Sequence, residues 1–186
     1  FQNPDQQIFC DTVFEEVSYG LRLRGISEKE TAMRVREALD AVGLNGCEKE
    51  DPFSLSKGQR QRVAVASVLA IKPRVLVLDE PTTGLDYKDQ KRMMELVKNL
   101  NEAGHTIVMI THTMWVVAEY AHRVVLVRDG RIAADGGVRE IFADEAALAL
   151  AEVCPPQITR LGNRLGGAVL SVKELLHCTQ RPGQMS

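Results

Sequence analysis

Val75-Leu76-Val77-Leu78-Asp79-Glu80-Pro81-Thr82-Thr83-Gly84-Leu85-Asp86 is the stretch on which the fold of this chain turns. Four apolar residues deliver two adjacent carboxylates, and a turn then ends in a third. The run from Val75 to Leu78 reads as a short strand buried on both faces, as strands of parallel sheets are. Asp79 and Glu80 then stand at its carboxyl end, where open α/β sheets place their ligands. Asp79 suits Mg²⁺, directly or through a water, because hard cations take carboxylate oxygen. Glu80 is placed to orient or deprotonate a water that attacks a terminal phosphate. The same string also fits a plain acidic turn after a strand, so the flanking segments have to decide.

Upstream, Leu55-Ser56-Lys57-Gly58-Gln59-Arg60-Gln61-Arg62 opens an apolar helix that Lys72-Pro73 closes. Ser56 can cap that helix, Gly58 lets a ligand approach the backbone, and the first-turn amides aim the positive end of the dipole outward. Such an end binds anions, although a capped buried helix is equally a structural element. Downstream, Thr106 to Thr111 forms another strand-like run, and His112 follows at its end. A histidine there can contact a terminal phosphate and the attacking water, with a charge tunable near neutral pH.

Taken together these residues resemble the nucleotide-binding subunits of ABC transporters. Leu55-Ser56-Lys57-Gly58-Gln59 is similar to the family signature, Val75 to Glu80 to Walker B, Gly84-Leu85-Asp86 to the D-loop and His112 to the switch histidine. Phe1-Gln2-Asn3-Pro4 resembles the Q-loop, which makes Gln2 the glutamine that contacts Mg²⁺ or water and relays movement to a membrane subunit. The stretch from Phe1 to Phe9 is similar to the Q-loop of energy-coupling-factor ATPases, which power uptake of vitamins and of cobalt or nickel ions. Leu55 to Leu69 and Val117 to Arg123 look most like the second ATPase half of tandem proteins in that group.

The resemblance implies a P-loop NTPase core of class α/β, with a parallel sheet, a helical subdomain and a small C-terminal helical extension. It implies ATP and Mg²⁺ as cofactors, with Glu80, His112 and Gln2 as catalytic residues and Asp79 with Gln2 at the metal. Ser56, Lys57, Gly58, Gln59 and Asp86 are the expected nucleotide contacts. Lys57 stands where the family usually has a glycine, and its charge favours an anion. No G-x-x-x-x-G-K-[ST] phosphate loop occurs in the sequence,. In the family two ATPase domains sandwich two nucleotides, each held by one domain's phosphate loop and the other's signature. The expectation is therefore that this chain alone lacks meaningful ATPase activity and offers its signature to a nucleotide held by a partner.

Composition sets the broad class. With 186 residues and 45% hydrophobic content, the length suits one ordinary domain,. Lys and Arg total 23 against 25 Asp and Glu, so no charge excess directs the chain to nucleic acid,. Cys10, Cys47, Cys154 and Cys178 are widely separated and form no CxxC pair, so they read as thiols of a reducing compartment,. No apolar run is long enough to span a bilayer, and membrane association has to come through a partner.

Periodicity divides the chain further. Val13, Phe14, Val17 and Leu21 mark one helix; Ser27 and Glu30 cap a second, striped by Ala32, Val35, Leu39 and Val42,. Met93, Leu96, Val97 and Leu100 mark a helix that Gly104 can terminate, another lies around Thr113 to Ala121, and the Asp129-Gly130 turn centres a hairpin,. The expected division is an ATPase domain over 1–143 lacking its phosphate-loop part, with a helical subdomain of about 8–72. A helical extension over 144–178 follows, and then a disordered tail over 179–186. In the extension Asp144 to Val153 is one helix, Ile158, Leu161 and Leu165 stripe the next, and Ser171 with Glu174 caps a last helix through Leu176.

The expected partners are a second ABC ATPase, a transmembrane scaffold subunit and a substrate-binding membrane subunit, with the chain peripheral on the cytoplasmic face of the membrane. The other class open to these motifs is a non-transport ABC-type scaffold or repair protein gated by ATP. A regulatory half that has lost its own site is a third reading, against which Glu80 and His112 stand. A sheet deprived of neighbouring strands leads one to expect an unstable or self-associating chain unless another chain covers it.

Overall fold

The computed structural model describes residues 7 to 180, which form two compact units, one through Thr111 and the other from His112. In the first unit, α1 (Val13–Leu23), α2 (Glu28–Ala41) and α3 (Lys57–Leu69) come before the strand β1 (Val75–Asp79). Then α4 (Tyr87–Glu102) leads to β2 (Thr106–Ile110). The helices begin where side-chain oxygens take first-turn amides. Thr12 accepts from the Glu15 amide, Ser27 from Glu30 and Ser56 from Gln59,.

Their buried stripes follow the 3.6-residue period. On α1 Val13, Val17 and Leu21 are fully buried, and on α4 Met93, Leu96, Val97 and Leu100 are buried. On α2 the stripe is Val35, Ala38 and Leu39, while Ala32, expected in it, is exposed and Thr31 takes the buried position. Helix α3 is buried nearly all round from Val63 to Ala66, as a central helix must be.

β1 and β2 pair in parallel, with Val75 opposite Thr106 and Asp79 opposite Ile110, and α4 makes the crossover between them. Burial on both faces, expected from the apolar run, is not observed. Leu76 and Leu78 are buried, whereas Val75 and Val77 stand 52% and 54% exposed. On β2 Val108 and Ile110 are exposed in the same way. Parallel partners and next-but-one residues share a face. The uncovered side therefore carries Val75, Val77, Val108 and Ile110, with Asp79 at its carboxyl end. The cause is that, among the described residues, this sheet has two strands and helices cover only one of its faces.

The second unit opens with α5 (Met114–Tyr120), followed by the hairpin β3 (Arg123–Arg128) and β4 (Arg131–Gly137). Asp129 and Gly130 both have positive φ, the geometry that a two-residue type I′ turn requires,. Helices α6 (Val138–Ala143) and α7 (Glu145–Leu150) pack on that hairpin, with Phe142, Ile141, Val138 and Leu148 in the core beside Leu126. Helix α6 has no counterpart in the sequence reading, being only six residues long.

Helix α8 (Gln157–Arg164) buries Thr159 and Gly162, while Leu161 and Leu165 of the expected stripe are exposed. The chain returns past Gly162 so closely that a Cβ there would lie 2.6 Å from the Gly167 carbonyl oxygen, and this approach selects the buried face. Helix α9 (Val172–Gln180) runs beyond Leu176 and takes in Thr179 and Gln180 from the stretch read as a tail. The remainder of that stretch, 181–186, lies outside the described residues, as does Gln2.

Candidate functional site

The carboxyl end of β1 is where the candidate site begins. Asp79 closes the strand half-buried, and Glu80 follows at φ +48°, in the left-handed region that costs a side-chain-bearing residue energy,. The Glu80 amide donates to the Ile110 carbonyl at 2.9 Å, extending the ladder by one bond while the backbone turns away. Two hydroxyls then converge on its carboxylate, since Thr83 Oγ1 and Thr111 Oγ1 donate to Oε2 at 3.2 and 3.4 Å. The pair of threonines fixes where that oxygen can point. Neither was picked out from the sequence, and an isolated threonine carries no signal there.

The turn from Pro81 to Asp86 is held from α4. Gln90 Nε2 donates to the carbonyls of Thr82 and Leu85, and the Leu85 amide donates to Thr82 at 3.3 Å. Gly84 takes φ +73°, which the tight turn requires,. Asp86 ends the turn as the cap of α4, accepting the Asp89 amide on Oδ1 at 2.8 Å. One oxygen of the expected nucleotide contact Asp86 therefore serves the fold. Asp at the cap with Asp three residues on is a helix-start pattern visible in the sequence.

At the α3 N-terminus Ser56 and Gln59 form a reciprocal capping box. The Gln59 amide donates to Ser56 Oγ at 3.2 Å, and the Ser56 amide to Gln59 Oε1 at 2.9 Å,. Both residues are thus partly engaged with one another, which leaves the Ser56 hydroxyl hydrogen and the Gln59 amino group to reach a ligand. The amides of Lys57 and Gly58 are first-turn donors with no acceptor inside the helix. Lys57 adds a cation that forms no ion pair among the described residues. That donor set suits a phosphate oxygen. Arg60 Nη1 donates to the Leu55 carbonyl, tying the approach segment down.

Further along α3, Arg62 donates to the carbonyls of Val42 and Gly43 at 3.0 and 3.3 Å, closing the end of α2. Burial, and then the neighbouring Arg92, lower its pKa. Among the described residues no group of three His, Cys, Asp or Glu side chains can hold a metal ion. A cation at Asp79 would have one carboxylate and would complete its shell with water and nucleotide oxygens, which is how Mg²⁺ is ordinarily bound beside phosphates.

The segment before α1 is fastened by Glu16. This carboxylate, buried in the first unit, accepts the amides of Phe9 and Cys10 on one oxygen, each at 3.1 Å. Phe9 packs edge-on against Tyr19 at 4.9 Å, and both rings remain exposed. Burial, followed by the Glu16 charge, pushes the Cys10 thiol up to about 11. His112, exposed, opens the second unit directly after Thr111.

An acid pair at the end of a parallel strand, a helix N-terminus with free first-turn amides and a capped turn are features of nucleotide-binding proteins of the ABC class,. The family model described as ABC transporter matches residues 2–83. The chain is 42% identical over 178 residues to an ABC transporter ATP-binding protein by name from Pyrococcus horikoshii, spanning 95% of this chain and 67% of that one. The chain belongs to the ABC transporter ATP-binding family, a family of ATPases.

A protein of Caldanaerobacter subterraneus subsp. tengcongensis, also named for ABC transporter ATP binding, is 62% identical over 97% of this chain but only 32% of its own length. The chain thus spans about a third of that relative. Energy-coupling factor transporter ATP-binding protein EcfA of Methanocaldococcus jannaschii is 44% identical over 87% of this chain and 58% of its own. Among solved structures, cbiO1 of Clostridium perfringens, part of the ABC transporter complex cbiONQ, matches at TM-score 0.74 and 32% identity, over 97% of this chain and 66% of that one.

Proposed function

We propose that the chain is part of an ATPase that energises import of a vitamin or transition-metal ion through an energy-coupling-factor transporter. The observation that carries this is the geometry at Glu80, a carboxylate steered by two hydroxyls at the end of β1, beside Asp79. The likeness to EcfA and to cbiO1 supports the transporter type.

In this reading Glu80 orients and deprotonates the attacking water, and Asp79 holds Mg²⁺, which supplies charge neutralisation at the phosphates when bound. His112 touches the terminal phosphate and the attacking water, and Gln2 contacts the Mg²⁺ or that water. Ser56, Lys57, Gly58 and Gln59 engage a nucleotide cradled by a second ATPase, whose face Asp86 also meets. Residues 1–143 are the ATPase part, and the helices of 144–178 pair it with that partner. Exposed Phe9 and Tyr19, beside the Q-loop stretch, support an approach to a transmembrane scaffold subunit on the cytoplasmic face. A separate membrane subunit selects the substrate.

The test is ATP turnover by the assembled transporter. Glu80→Gln is expected to abolish hydrolysis while leaving ATP-dependent association of the two ATPases intact. The chain by itself is expected to show no turnover above blank at millimolar ATP. Turnover that survives Glu80→Gln overturns the assignment, and failure to co-purify with a membrane scaffold favours an ATP-gated protein of another kind.

A further inference from the structure

Two contacts join the α3 N-terminus to the segment from Gly84 to Asp89, which runs from the turn into the first turn of α4, and each is made at a glycine. Gly58 is buried with Asp89 against it, so that a Cβ at Gly58 would lie 2.7 Å from both Cγ and Oδ2 and 3.1 Å from Cβ of Asp89. Asp89 has little freedom to move aside. Its amide is held by Asp86 Oδ1 at 2.8 Å, and its carboxylate pairs with Arg92 at 3.2 Å. In the other direction Lys57 lies over Gly84, where a Cβ would overlap the ammonium and approach Cε at 3.3 Å. The dipeptide Lys57-Gly58 thus meets the turn at Gly84 and the first turn of α4 at Asp89, with one side chain donated from each direction.

We propose that Asp89 and Lys57 are positioning residues that interlock the signature with the D-loop in this chain. The proposal rests on the reading of 56–59 and 84–86 as those two motifs. Its physical content is that neither turn moves alone. A shift of the α3 N-terminus as its amides engage a phosphate displaces Asp89, and Asp89 carries the cap at Asp86 with it. Lys57 adds a second link at Gly84, in the middle of the same turn. Neither link needs a change in the core, because Asp89 lies in the first turn of α4 and Lys57 in the first turn of α3.

The sign of a single substitution tests the interlock. Alanine ordinarily stabilises a helix relative to glycine. If Asp89 occupies the space, Gly58→Ala lowers the melting temperature of the chain by roughly 3–6 °C, and Asp89→Ala in the same molecule returns it. A rise on Gly58→Ala alone, or a loss that Asp89→Ala fails to relieve, overturns the proposal. For the second link, hydrogen exchange at the Leu85 amide is expected to quicken on the order of tenfold in Lys57→Ala. Lys57→Arg is expected to restore it, with α2 amides unchanged throughout. Equal exchange in all three chains overturns that link.

In the assembled ATPase, Asp89→Ala is expected to lower kcat on the order of tenfold with KM for ATP held within about twofold, and Asp89→Asn to recover it. Unchanged kcat in Asp89→Ala would reduce the contact to packing and overturn the positioning role. The melting and exchange measurements use no nucleotide. If wild-type assemblies fail to hydrolyse ATP, the functional reading falls while the interlock is still decided.

Discussion

Glu80 reaches across the strand ends to Ile110, donating its amide to that carbonyl at 2.9 Å, and it holds φ +48° to do so. The residue proposed to activate the water is therefore also one whose backbone is strained. For a residue bearing Cβ the left-handed region costs on the order of 1–2 kcal/mol, and glycine escapes it. Glu80→Gly is thus expected to gain about 1 kcal/mol of stability by chemical denaturation while losing hydrolysis in the assembly. A destabilised Glu80→Gly would show that the two threonine contacts outweigh the strain.

Glu16 offers the second prediction. One buried oxygen serves two amides, so Glu16→Ala leaves the Phe9 and Cys10 amides without their acceptor, at a cost of roughly 2–3 kcal/mol,. Glu16→Gln keeps a carbonyl oxygen in place and is expected to lose less than half of that. Equal losses in the two variants, read by denaturant titration, would mean that shape and not hydrogen bonding sets the site.

Cys10 is expected to resist alkylation. Its pKa stands at about 11 against an ordinary 9.0, so near pH 8 its thiolate fraction is roughly a hundredfold below that of an unfolded thiol,. Mass spectrometry after timed iodoacetamide treatment measures the rate site by site. Because burial is the largest cause and Glu16 comes second, Glu16→Gln should recover only part of the reactivity. Full recovery would reverse that order. The sign for stability follows, since a raised thiol pKa withholds ionisation from the fold and the cost enters as pH climbs from 9 toward 11,.

The C-terminal helices give an acid-dependent prediction. Arg139 pairs with Glu174 through Nη1 and Nη2, at 3.2 and 2.5 Å, and Nη1 also donates to the Ala168 carbonyl at 2.8 Å. The Arg139 hydrogen bond holds the Glu174 carboxyl below its ordinary 4.5. A lowered carboxyl pKa adds stability above the unfolded value and loses it as pH falls through the folded one. Exchange protection of α9 should therefore be flat at neutral pH and weaken from about 4.5 downward. Glu174→Gln should flatten the profile. A profile that is unchanged would locate the hold on α9 elsewhere.

Much of this was legible in the residues. The caps at Ser27 and Ser56, the stripe of α4 and the Asp129-Gly130 turn are local features whose cause lies within a few positions, and the sequence displays them. What escaped depends on neighbours distant along the chain. Burial of both faces of β1 failed because an apolar run records what a strand can tolerate and says nothing of what covers it. Leu161 and Leu165 were misread because Gly162 meets a returning backbone that no periodicity encodes. Thr83 and Thr111 came unannounced for the same reason, one lying in a turn and the other at the end of a different strand.

The uncovered side of the parallel pair carries a practical corollary. Four branched or long aliphatic side chains lie level and wet beside a single carboxylate, and nothing in their chemistry selects one neighbour over another,. In crowded solution such a ribbon is expected to act as a strip of adhesive. Yield, shelf life and apparent oligomer are expected to follow what settles on that strip first, so that a mild detergent or an early-added binding chain should keep the molecule single, as light scattering would read.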